Sequence, residues 1–207
     1  MGPDPQRNIS FLRLMLGLVV LGEMIYCLVF VPLQDFREVL IKEQVAVSRV
    51  FGDEDTAKIY GRADWMYSKL FIETGAAEKF VGKPPREEDS FSRYRMIARE
   101  RAQVTLHYAY LIISRLAHFM TWLPLFVVLF IAAVHDGLCI REIKKTNFEL
   151  ASPVVARYAG RVSRIAFLLL FMGLMAPLGF TPLIIPACAI IWVIGMSVAV
   201  RNIQKRI

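Results

Sequence analysis

The sequence predicts an all-α polytopic integral membrane protein with four transmembrane helices, of which the last two form a hairpin, and a helical segment on the translocated side. Of the 207 residues, 56% are hydrophobic, which is more than a soluble fold of this length buries. The apolar residues collect in runs that match the thickness of a bilayer. Basic residues outnumber acidic ones by 25 to 18, and the excess lies in short segments next to those runs.

The first apolar run covers residues 11–33 and contains Arg13 near one end and Glu23 near its middle. Its length matches the roughly 20 residues that a helix needs to cross the hydrocarbon core. A cleaved signal peptide is the alternative, because the chain begins with basic residues. The run is longer than the apolar part of such a peptide, and no small-residue cleavage site precedes Pro32. We therefore assign residues 1–33 to a cytoplasmic tail and a first transmembrane helix.

The second transmembrane helix is predicted at 104–134, where an apolar run with Pro124 inside it follows an amphipathic pattern. This helix is expected to begin outside the membrane and to continue into it. Two further apolar runs, 165–178 and 183–200, flank a turn signal of Gly and Pro. Residues 165–207 are therefore predicted to form a transmembrane hairpin with a basic tail. The third run is short, so a re-entrant hairpin and three crossings are the alternative.

Charge predicts the orientation of these spans. The connection 135–164 carries six basic and three acidic residues, and the carboxyl-terminal tail carries basic residues without an acid. Short basic segments stay in the cytoplasm, whereas long ones translocate largely regardless of charge. The long segment 34–103 has 13 basic and 13 acidic residues and is expected to be translocated. Both termini are therefore predicted to be cytoplasmic.

The translocated segment is predicted to consist of helices and a polar loop. Apolar residues recur at helical spacing from Phe36 to Phe51, and a second stripe begins after an acidic break at Gly52. Trp65, Tyr67 and Phe71 in the second stripe are candidates for a partner surface, because aromatic residues are enriched at the centres of interfaces. The alternative is that these helices pack on each other or lie on the outer leaflet.

The connection after the second span begins with a basic strip, in which Asp136, Arg141, Lys144 and Lys145 are the candidate binding residues. The strip is either an anchor near anionic lipid or a docking surface for a protein partner. Direct nucleic-acid binding is the third interpretation and ranks last, because no aromatic residues are interleaved with the basic ones. We expect no sequence-specific contact with nucleic acid.

Glu23 is the ionisable residue nearest the middle of a predicted span. Such a group is costly in the bilayer, so a partner is expected. His118 and Arg115 on the second helix lie about 24 and 28 Å of helix rise from residue 134 and are the candidate partners. A contact of Glu23 with one of them would hold an assembly together. Pairing with another protein's membrane helix and a proton relay are the alternatives.

Motifs for chemistry are absent from the sequence. There is no phosphate-binding loop, no dinucleotide-binding glycine pattern and no nucleophile elbow. The three histidines lie far apart, and His135 with Cys139 lacks the further ligands of a closed zinc site. We therefore expect no enzymatic activity, no metal and no cofactor.

Four short stretches carry a resemblance to a known family: His135-Asp136-Gly137-Leu138, Arg141-Glu142-Ile143-Lys144-Lys145, Ala151-Ser152-Pro153 and the basic stretch 157–164. In these residues, and in its layout over nearly the whole chain, the sequence resembles the DtrJ/TraJ-like inner-membrane proteins. Those proteins belong to conjugative plasmids and integrating conjugative elements of Gram-negative bacteria. The resemblance places the chain in a bacterial inner membrane and makes the segment 34–103 periplasmic.

The resemblance implies an accessory component of conjugative DNA transfer through a type IV secretion system. Its expected partner is the type IV coupling protein, a TraD/TraG-like hexameric ATPase that feeds the transferred strand to the secretion channel. The chain would stabilise that ATPase and link it to the channel by helix packing and charge complementarity. The alternatives are a small proton- or ion-coupled transporter or channel subunit, and an exclusion protein that blocks redundant transfer from the recipient side.

Overall fold

The structure is a computed structural model that describes residues 17–18, 21–22, 25–26, 29–82, 92–147, 152–176, 179 and 181–202. Within these ranges every regular element is a helix and no strand is present. The prediction of an all-α fold is confirmed for this part of the chain.

Two helices follow the first predicted span, α1 at Leu33–Phe51 and α2 at Asp53–Tyr67. They are separated by Gly52, whose φ of 80° is in the region that favours glycine. Three acidic residues occupy the first turn of α2, where they interact favourably with the helix dipole. The break that the acidic cluster predicts is therefore confirmed.

The second stripe ends in a π-helical turn at Ser68–Ile72, and a short helix, α3, follows at Ala76–Val81. Gly75 lies between them with a φ of 66°, in the left-handed conformation that commonly ends a helix. Residues 83–91, which include most of the predicted polar loop, lie outside the described ranges.

The longest element is α4, a continuous helix of 55 residues at Ser92–Thr146. It includes Pro124, which removes one backbone hydrogen bond without ending the helix. The structure confirms that a helix begins in the amphipathic part of the sequence and continues through the second apolar run. It also continues to Thr146, because residues 138–146 contain good helix formers and no Gly or Pro.

Two more helices complete the described chain, α5 at Pro153–Met175 and α6 at Ile184–Arg201. Pro153 occupies the first position of α5, where its missing N–H removes no intrahelical hydrogen bond. Among the described residues, three helices are long and apolar enough to cross a membrane, namely α4, α5 and α6. Most of the first predicted span lies outside the described residues. Those of its residues that are described between 17 and 30 are helical.

The chain divides into two compact units. The first unit is formed within Met1–Leu116 and Met175–Phe180. Its core is a cluster of Phe36 from α1 with three residues of α4, Val104, Tyr108 and Leu111. The rings of Phe36 and Tyr108 meet edge-on, with centroids 5.7 Å apart. Helix α1 therefore packs on the first part of α4.

The second unit is formed within Ala117–Leu174 and Thr181–Ile207, and it contains the rest of α4 with α5 and α6. Close packing of α5 on α6 depends on Gly195, where a Cβ atom would lie 3.1 Å from the Cβ atom of Ser163. On the other side of α6, a Cβ atom at Gly137 would lie 3.0 Å from the carbonyl oxygen of Ser197. Small residues thus allow both neighbours to approach α6 closely.

Polar contacts show that α4 and α6 run parallel. Three residues along α4 contact three successive positions of α6 and its ends: His118 with Pro182, Asp136 with Ser197, and Lys144 with Asn202. Residue numbers rise together in the two helices, so the helices run in the same direction. The first two contacts are 18 residues apart on α4, which corresponds to about 27 Å of helix rise. This distance is close to the hydrocarbon thickness of about 30 Å.

Candidate functional site

A buried ion pair joins α1 to α4 in the first unit. Arg115 donates from Nη2 to Oε1 of Glu43 at 2.5 Å and from Nε to Oε2 at 3.2 Å. The two side chains are 2% and 6% exposed, respectively. Two parallel contacts between a guanidinium and a carboxylate are the strong geometry for such a pair. Burial makes the loss of either partner costly, since the remaining charge would be desolvated and unpaired.

Helix periodicity places Glu43 and Arg115 on the faces of α1 and α4 that meet. Glu43 lies seven residues after Phe36 and four before Val47, and all three are buried on one face of α1. Arg115 lies four residues after Leu111 of the core cluster and so extends the buried face of α4. The ion pair therefore continues the apolar contact between the two helices.

The same part of α4 binds the carboxyl-terminal end of α5. Arg115 donates from Nη1 to the carbonyl oxygen of Ala176, and the hydroxyl of Tyr108 donates to the carbonyl oxygen of Met175 at 2.8 Å. Carbonyl groups at the end of a helix lack intrahelical partners, and basic side chains interact favourably with them. Arg115 therefore connects Glu43 and the end of α5 in one buried polar cluster.

Two tyrosines of the first unit lie beside these contacts. Burial raises the pKa of the Tyr60 hydroxyl above its usual value, and the charge of Glu43 raises it further. The hydroxyl of Tyr110 donates to Oδ1 of Asp64 at 2.6 Å, which ties α2 to α4. The Tyr60 hydroxyl therefore stays protonated at neutral pH.

Arg115 and His118, the two candidate partners of Glu23, both lie on α4 as predicted. Arg115 is paired with Glu43, and His118 is buried in the second unit with Nε2 3.4 Å from the carbonyl oxygen of Pro182. Glu23 lies outside the described residues, so its contact with either one stays a prediction. Sequence reasoning missed Glu43, although its place in the apolar stripe between Phe36 and Val47 was a signal for a buried carboxylate.

The basic strip partly contacts α6. Oδ2 of Asp136 accepts a hydrogen bond from the hydroxyl of Ser197 at 3.4 Å, and Nζ of Lys144 donates to Oδ1 of Asn202 at 3.2 Å. Arg141 is half-buried, and the side chain of Lys145 lies outside the described part of the structure. Asp136 and Lys144 therefore take part in packing within the second unit.

The aromatic stripe does not form one exposed surface. Tyr67 stacks on Phe71 with centroids 5.1 Å apart, and it meets Tyr110 of α4 edge-on at 5.4 Å. Trp65 is 64% exposed. Other exposed apolar side chains of this region are Leu70, Ile72 and Phe80. Tyr67 and Phe71 thus pack within the first unit, while Trp65 is exposed.

Metal ligands do not come together in the described ranges, where no group of three His, Cys, Asp or Glu side chains could hold an ion. His135 and Cys139 contact each other through Nδ1 and Sγ at 3.7 Å. This pair is an i, i+4 contact on the surface of α4 and has two of the four ligands that a structural zinc site uses.

Comparison with known proteins bears on these surfaces. No curated protein and no solved structure matches the chain. Residues 30–205 match the family described as IncC plasmid conjugative DNA transfer protein DtrJ-like. The match covers α1 to α6 and confirms the resemblance inferred from the sequence. The family's description names conjugative DNA transfer. The chain belongs to the DtrJ-like family of conjugative DNA transfer proteins.

Proposed function

We propose that the chain is an inner-membrane accessory component that binds the membrane helices of the type IV coupling ATPase, stabilises that ATPase and links it to the secretion channel. Family membership supports a role in conjugation. The coupling ATPase is proposed because it is the machine that the transferred strand must pass, and this chain lacks a phosphate-binding loop of its own.

The observation that carries this function is the exposure of large apolar side chains outside the three apolar helices. Trp65 is 64% exposed, and Leu70, Ile72 and Phe80 are each more than half exposed. Exposed apolar surface away from a bilayer indicates a protein interface. In the proposed topology these residues lie in the periplasm, where the periplasmic part of the ATPase would cover them.

The membrane helices offer a second surface. Only 11, 17 and 22% of the residues in the most apolar stretches of α4, α5 and α6 are buried. Much of their lateral surface is therefore available to lipid and to the helices of another protein. Helix association in a bilayer depends on such lateral packing.

The proposed topology has four crossings, with both termini in the cytoplasm. The contacts at His118 and Asp136 bracket about 27 Å of α4, and α6 extends beside that whole length. This supports α5 and α6 as full spans and not a re-entrant pair. The basic residues Lys144, Arg157 and Arg201 lie near the ends of their helices and favour the cytoplasmic side.

The experiment is affinity purification of the tagged full-length chain from membranes in mild detergent, with mass spectrometry of the proteins recovered. The test variant is Trp65→Ala combined with Leu70→Ala, and the matched control is Lys42→Ala combined with Lys58→Ala on the neighbouring helices. Transfer frequency is measured in parallel.

We expect the coupling ATPase to accompany the wild-type and the control chain, and to be lost with the test variant together with transfer. Recovery of the chain alone in all three cases, with normal transfer, would overturn the proposed partner. Recovery of other channel subunits without the ATPase would show that the partner is a channel subunit and not the ATPase.

A further inference from the structure

The amino-terminal half of α5 carries a ladder of three arginines, Arg157, Arg161 and Arg164. Their spacing of four and three residues places them on one face of the helix. All three are exposed, and they extend over about 10 Å of helix rise. We call these three residues the arginine ladder.

Among the residues that the structure describes, none forms an ion pair with the ladder. The last acidic residue of the sequence is Glu149. The guanidinium of Arg161 lies 5.5 Å from the ring centroid of Tyr158, and Nε of Arg164 donates to the carbonyl oxygen of Gly160 at 3.0 Å. These contacts orient the guanidinium groups and leave their charge available to an anion.

An apolar cavity of about 260 Å³ lies between α4, α5 and α6. Its lining contains no polar side chain except the indole of Trp192, and includes Phe126, Phe130, Phe167 and Leu170. Phe130 and Trp192 stack with centroids 5.2 Å apart and form one wall. An apolar lining of this kind favours apolar groups over water.

The cavity begins one helical turn from the ladder. Phe167 follows Arg164 by three residues and Gly160 by seven, so Gly160 and Phe167 share a stripe along α5. The hydrogen bond from Arg164 to Gly160 turns the guanidinium toward that stripe. A ligand that contacts Arg164 with an anionic group can therefore reach the cavity with an apolar group.

We propose that α4, α5 and α6 bind one anionic phospholipid, with its phosphate at Arg161 and Arg164 and one acyl chain in the cavity. A soluble anion would use only the ladder, and a neutral lipid would use only the cavity. The site does not depend on the coupling ATPase, because all its residues belong to the second unit of this chain.

The test measures quenching of Trp192 fluorescence by lipids with brominated acyl chains, added to the full-length protein in detergent micelles. Trp65 and Trp122 are replaced by Phe so that Trp192 alone reports. Brominated phosphatidylglycerol is compared with brominated phosphatidylcholine. We expect phosphatidylglycerol to quench at a concentration lower by about tenfold or more, since each arginine favours an anionic lipid.

Variants separate the two parts of the site. Arg161→Gln with Arg164→Gln should remove the preference for phosphatidylglycerol, whereas Arg161→Lys with Arg164→Lys should keep most of it. Ala189→Phe should fill the cavity and lower quenching by both lipids, and circular dichroism checks that it folds. The matched control, Lys42→Gln with Lys58→Gln, removes two charges elsewhere and should change nothing.

Equal quenching by the two lipids in the wild-type chain would overturn the site. An unchanged lipid preference in the double glutamine variant, together with weaker recovery of a protein partner, would also overturn it and identify the ladder as a protein surface. Normal quenching by phosphatidylglycerol in a folded Ala189→Phe variant would exclude the cavity as the acyl-chain site.

Discussion

Arg115 and Glu43 are 72 residues apart in the chain, and they form a buried two-point ion pair that holds α1 against α4. The same guanidinium binds the carbonyl oxygen of Ala176 beyond the end of α5. One side chain thus connects three segments of the first unit. The ion pair is intramolecular, which makes stability the first quantity that its removal should change.

Replacing Glu43 with Gln should lower the free energy of unfolding by about 3–5 kcal/mol, because the guanidinium of Arg115 would remain buried without its counter-charge. The control is Lys42→Gln on the same helix, which breaks an exposed pair with Glu38 and should change stability by at most about 1 kcal/mol. Thermal unfolding of the two purified variants in detergent makes the comparison. Similar unfolding temperatures for both would contradict the structural role of the pair.

Replacing Gly195 with Val should separate α5 from α6, since even the Cβ atom would lie 3.1 Å from Ser163. Overpacking of this kind typically costs about 1–3 kcal/mol. Gly61→Ala in α2 is the control, because no atom lies within 4 Å of the added Cβ atom. That change should be neutral or stabilising, as Ala favours a helix over Gly. Limited proteolysis of the purified variants reports the loosened packing, and equal cleavage of both variants would show that the contact is unimportant.

Alkaline pH should destabilise the first unit through Tyr60. Burial, with a further contribution from Glu43, raises the pKa of its hydroxyl above the model-peptide value of 10.0. The unfolded chain then loses the proton at a lower pH than the folded chain, so stability is constant below about pH 10 and falls as the pH rises further. Unfolding temperatures measured from pH 8 to pH 11 should therefore fall less steeply in Tyr60→Phe than in the wild-type chain. Parallel curves would contradict the assigned environment.

Thiol labelling should report the proposed orientation. Cys139 on α4 is exposed and is placed in the cytoplasm, and Trp65→Cys would place an exposed thiol in the periplasm. In single-cysteine chains, a membrane-impermeant maleimide added to intact cells should label the residue-65 variant and leave Cys139 unlabelled until the inner membrane is opened. The reverse pattern would invert the topology, and labelling of both in intact cells would exclude it.

Local features of the fold were predictable from the sequence. The end of α1 at Gly52 and the acidic start of α2 follow from the conformational freedom of glycine and from the helix dipole. The continuity of α4 follows from an amphipathic pattern that runs into an apolar one without a break. These signals depend on residues within a few turns of one another. Such local patterns can be read from a single sequence.

Pairings between distant segments were not predictable in the same way. The periodicity of α1 places Glu43 on the buried face, but it does not identify Arg115 as the partner, since many charges in the chain could fill that role. Similarly, the aromatic stripe did not distinguish Trp65, which is exposed, from Tyr67, which packs on Tyr110. Such distinctions depend on how the helices pack in space. That information cannot be read from a single sequence.

The first unit is discontinuous in the chain, because it includes residues 175–180, which begin at the last residue of α5. A ribosome that has synthesised α1 to α4 has therefore not yet supplied the carbonyl groups that Tyr108 and Arg115 bind. These hydrogen bonds form only after α5 has been synthesised. A chain truncated after α4 would lack these contacts, so the amino-terminal unit is complete only when synthesis has passed Ala176.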